Sequence, residues 1–220
     1  MHLLDAWTAL SVADLARLLG IPVAILVAAL LPGRRLTGVA ALAIAILVVP
    51  CDELSAPLAV RIAWVALWLV IAALTVSHGL DTARSPAPRR SGFEASVVAL
   101  PLGAALALLL LAAVSRQSAS LAPLDARRAS LGALVLSAGV LHLMMRRHVR
   151  RALLAFGALG LGLELLAASA RRADVTGAGA PAGAALLGTF VAVALVSRIA
   201  VSREQWAGSP LVSDAHELHD

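Results

Sequence analysis

Apolar residues fill seven runs of the chain, near 12–31, 36–49, 62–77, 95–114, 129–145, 149–170 and 182–200, and polar residues are confined largely to the segments between them. Most runs approach the roughly 20 residues that a helix rising 1.5 Å per residue needs to cross a ~30 Å hydrocarbon layer. The pattern predicts an all-α fold, a polytopic transmembrane helix bundle of about seven helices, with residues 1–220 forming a single integral-membrane domain. The second run is short, which predicts a tilted helix, a re-entrant segment, or a helix extended through "PCDELSAP"; the count falls to six if it does not cross. The first run carries Asp14, Arg17 and Pro22.

Composition sharpens this picture by excluding a soluble domain: 60% of residues are hydrophobic, 14% are charged, and the mean hydropathy is +0.91. The lipid bilayer is the expected solvent and the first partner. Eighteen arginines and no lysine give the net charge of +5, and they fall between the apolar runs, so they predict membrane topology and no nucleic-acid surface. On a seven-span path eleven arginines lie on one side and seven on the other. The excess predicts an inner-membrane protein with its N-terminus outside and its C-terminus in the cytoplasm. The polar segment 77–92 is then a cytoplasmic loop and 203–220 a polar C-terminal tail. The densest cluster, "RRHVRR", is a short cytoplasmic turn in which Arg146, Arg147, Arg150 and Arg151 anchor the hairpin of the fifth and sixth spans. The start "MHLLDAWTAL" has no basic n-region and carries Asp5, so it is not read as a cleaved signal peptide.

Few residues carry candidate chemistry. Cys51 is the single cysteine, which excludes an intramolecular disulfide, and no Cys/His cluster predicts a metal or a cofactor. Glu164 is a carboxylate inside an apolar run, the position where an acid serves as a proton relay or pairs helices. His142, about one turn before the basic turn, is a second proton-relay candidate or a helix-to-helix hydrogen bond. In an antiparallel hairpin these two lie at opposite ends. Asp14 and Arg17, at i,i+3, predict an intrahelical pair in the outer interface. Trp64 and Trp68 point the same way, toward a neighbouring helix or lipid, while Trp7 and Trp206 read as interface anchors. Gly157, Gly160 and Gly162 form a helix-packing surface of small residues, open to a partner helix or to the fifth span. The terminal "DAHELHD" is a polar tail in preference to a metal site. No zinc-protease, phosphate-loop or Ser/His/Asp pattern is present, and the triplet Cys51, Asp52 and Glu53 is the nearest approach to an enzyme-like polar cluster.

The stretch "LHLMMRRHVRRALLAFGALGLGLELLAAS", followed by a connection, a last span and the tail "REQWAGSPLVSDAHELHD", resembles the hydrogenase-4 component E family. The last three helices of that family are similar to the small three-helix membrane subunit of respiratory complex I and of multisubunit cation/proton antiporters. Arg146, Arg147 and His148 occupy its basic turn, Gly162, Leu163 and Glu164 match its acidic motif, and Ser213 to His216 fall where its tail motif lies. The motifs cover about the last 90 residues. Two departures accompany the likeness. Arg147 and Glu164 are about two helical turns further apart than in the complex I subunit, and the last span lacks an acid, which thins the carboxylate path of the relatives. The resemblance implies a non-catalytic membrane-arm subunit of a complex I-like or hydrogenase-type assembly. Such a subunit anchors an antiporter-like membrane subunit beside a redox or other peripheral module and contributes to proton translocation. The alternatives are a stand-alone small transporter or channel, which should show paired helix-breaking positions in two halves, and a polytopic lipid-modifying enzyme.

Overall fold

The computed structural model describes residues 7–31, 34–54, 56–76, 91–117, 121–145, 149–173 and 181–207. Seven helices follow in order: α1 Val12–Leu30, α2 Arg34–Val48, α3 Leu58–Val76, α4 Ser91–Gln117, α5 Pro123–Met145, α6 Val149–Ala173 and α7 Ala184–Ala207. A 3-10 turn, Asp52–Leu54, sits between α2 and α3, and no strand occurs among the described residues. The seven apolar runs thus all become helices. Five of these helices are long and apolar enough to cross a membrane: α1, α3, α5, α6 and α7. The apolar stretch of α2 is shorter, as is the 100–116 part of α4. At 15 residues α2 is about 22 Å long, yet Ala41, Ile44 and Val48 are buried along it, so it packs as a full member of the bundle.

Local sequence explains where the helices begin. Ser11 caps α1, its hydroxyl oxygen accepting from the Asp14 amide at 3.1 Å and its O–H donating to the Asp14 carboxylate at 2.7 Å. The same carboxylate takes Arg17 at 3.4 Å on an exposed face, as the i,i+3 spacing predicts. Pro123 opens α5 at a position where its missing N–H costs nothing, and Asp125 sits in the first turn against the positive end of the helix dipole. These two residues draw "LDARR" into the helix, six residues before the apolar run begins at 129. Of the predicted anchor residues, Arg150 and Arg151 belong to the first turn of α6, while Arg146 and Arg147, with His148, lie outside the described residues.

Successive helices reverse direction, so two ends can be distinguished. One end holds the start of α1, the Asp52–Leu54 turn and the starts of α5 and α7; it is called here the Arg128 end. The other, the Arg150 end, holds the starts of α2 and α6 and the ends of α3 and α5. Trp64 and Trp68 are fully buried on α3, within the protein core and away from lipid, and neither indole N–H has a hydrogen-bond acceptor. Each such donor costs about 1–3 kcal/mol, which apolar burial of the ring offsets. Trp7 is tied to the bundle by a 3.0 Å hydrogen bond from its indole N–H to the Ser130 hydroxyl, whereas Trp206 is exposed. Leu187, Phe190 and Leu195 on α7, Leu108 and Leu109 on α4, and Ile46 on α2 turn outward, an apolar surface that a bilayer would cover.

Candidate functional site

The three glycines of "FGALGLGLE" are each consumed by a different helix of the same chain. A Cβ on Gly162 would lie 2.8 Å from the Leu136 backbone nitrogen and 3.0 Å from the Gly132 carbonyl oxygen, so α5 and α6 touch backbone to backbone there. Gly157 admits the Trp68 ring, whose nearest atom would stand 3.0 Å from an added Cβ. Gly160 admits Thr189 of α7, whose own Cβ would be 2.7 Å away. Because these contacts are internal, the glycines do not present a free surface to a partner helix, and the partner-docking expectation for this face is replaced by intramolecular packing.

Glu164 lies one turn beyond Gly160 and is fully buried. Its Oε1 accepts a hydrogen bond from the Gly183 backbone N–H at 3.1 Å. Gly183 precedes α7, its carbonyl accepts the first intrahelical bond from Leu187, and its φ of 91° lies in the left-handed region that favours glycine. An acid on α6 therefore holds the positive end of α7. Glu164→Gln, which keeps an accepting oxygen of the same reach, is expected to melt close to the native protein in detergent. Glu164→Lys, which sets a cation against the same N-terminus, is expected to be the least stable variant. Equal melting of Lys and native proteins would refute this role.

His142, also fully buried, lies at the other end. Its Nε2 is 3.1 Å from the Arg151 carbonyl oxygen, an acceptor to which that nitrogen donates, and the bond ties α5 to the first turn of α6. From Arg151 to Glu164 is about 20 Å along α6, so the two proton-relay candidates are not brought together. Arg150 and Arg151 are themselves buried, and Arg150 donates through Nη1 to the Leu74 carbonyl at 3.2 Å. The Arg150 guanidinium fastens the end of α3 to the start of α6 inside the bundle, a contact that a reading of it as a turn residue does not supply.

A polar group bonded to three others lies outside the sequence candidates. Arg128 is 3% exposed, and its Nη1 meets the Asp125 carboxylate at 2.7 Å. Its Nε donates to the Glu53 carbonyl at 2.8 Å and its Nη2 to the Asp52 carbonyl at 3.5 Å. One guanidinium thus clamps the 3-10 turn onto α5. Asp52 turns its own carboxylate outward to Arg61 at 3.2 Å, and Glu53 is buried with an Oε2 that lies 3.8 Å from the Cys51 sulfur. The signal was present in "LDARR", since Asp125 and Arg128 have the same i,i+3 spacing as Asp14 and Arg17.

Burial, and then the neighbouring Glu53 carboxylate, push the Cys51 thiol up from 9.0 to about 12. At neutral pH the buried thiol is therefore protonated, which leaves little of the reactive thiolate. Alkylation at pH 8 is expected to run about 1,000-fold slower than for an unperturbed thiol, because three units of pKa remove that share of thiolate. Labelling at the rate of a free thiol would overturn the buried placement. Among the described residues no three His, Cys, Asp or Glu side chains are grouped as a metal site requires. His216 and His219 of the tail lie outside the described residues. Held by two carbonyls and one carboxylate, Arg128 thus closes this end of the bundle around the Asp52–Leu54 turn. Comparison with protein-family models, with curated proteins and with solved structures finds no match for the chain.

Proposed function

We propose that this chain is a non-catalytic membrane-arm subunit of a complex I-like or hydrogenase-type assembly, holding an antiporter-like membrane subunit next to a redox or other peripheral module. The observation that carries the reading is the unit formed by α5, α6 and α7. These last three helices pack consecutively through Gly132, Gly162 and Gly160, and the "RRHVRR" and "GLELLAAS" stretches on which the family resemblance rests fall within the same part of the sequence, residues 123–207. The polar groups described at both ends support the non-catalytic part of the reading, since Glu164, His142, Arg150 and Arg128 all bond elements of the same bundle. A proton path along α6 would need intervening groups or water between Glu164 and His142, because about 20 Å separates the levels at which they sit. In this reading the protein resides in the inner membrane with its N-terminus outside and its C-terminus in the cytoplasm, as the arginine excess favours.

Purification in mild detergent through a tag on this protein is expected to retrieve at least one large antiporter-like membrane subunit. A C-terminal reporter fusion is expected to be active only in its cytoplasmic form. A monodisperse, partner-free protein that moves a solute across liposomes by itself would overturn the proposal in favour of a stand-alone transporter.

A further inference from the structure

No further inference is drawn: the strongest candidate, the outward apolar face of α7 that includes Leu187, Phe190, Val191, Leu195 and Ile199, carries nothing because the structure does not show whether lipid or a second protein covers it.

Discussion

Gly160→Leu is expected to abolish the native bundle, with no folded monomer recovered from detergent extracts. The position is filled from the opposite side: a Cβ there would approach the Thr189 hydroxyl, and would stand 2.7 Å from the Thr189 Cβ and 2.8 Å from its Cγ2. Thr189 has little freedom to retreat, since its hydroxyl donates to the Ala185 carbonyl at 2.6 Å within α7. Overpacking a close-packed site costs about 1–3 kcal/mol when neighbours can shift, and more when backbones must separate. Here α7 would have to leave α6, which also pulls Gly183 away from Glu164. The milder Gly160→Ala should fold with a lowered melting temperature, and combining it with Thr189→Ala should restore part of the loss by removing Oγ1 and Cγ2. Native-like melting of Gly160→Leu would show that α7 does not dock on this face. Such a result would remove the structural support for α5, α6 and α7 as one unit, without bearing on the clamp at Arg128.

Much of this architecture is legible from hydrophobic pattern alone because the bilayer leaves helices as the way for a single span to satisfy its backbone. Seven runs became seven helices, and Gly157, Gly160 and Gly162 marked helix contacts. What the pattern could not supply was the identity of each partner. Three glycines within two turns of α6 point in three directions, toward Trp68, Thr189 and Leu136, and only the packing of α3, α7 and α5 around α6 separates them. Glu164 stood out as an acid in an apolar run, but its acceptor role depends on Gly183, nineteen positions away. Arg128 was hidden for a different reason. Charges flanking an apolar run look like solvated loop residues, and nothing local distinguishes an arginine that stays in the interface from one that reaches back to carbonyls seventy-five positions earlier. The Asp125 spacing was the one local clue.

The second large effect is expected at that arginine. Arg128→Ala leaves the Asp125 carboxylate buried without its ion partner and removes the donors that hold the Glu53 and Asp52 carbonyls. Breaking one side of a buried pair in this way costs about 3–5 kcal/mol, whereas replacing both sides can be close to neutral. The single variant should therefore melt far below the native protein. Arg128→Met combined with Asp125→Asn should recover much of the difference, because no unpaired charge is then left buried. Arg128→Lys should fall between, since one ammonium cannot meet a carboxylate and two carbonyls in the planar geometry a guanidinium provides. Cys51 offers a second readout that separates release of the turn from general unfolding. If Arg128 is what clamps the 3-10 turn, then at a temperature where the bundle of Arg128→Ala is still helical by circular dichroism, Cys51 should alkylate much faster than in the native protein. Unchanged labelling together with unchanged melting would mean that apolar packing of Leu54, which is fully buried, holds the turn without the guanidinium.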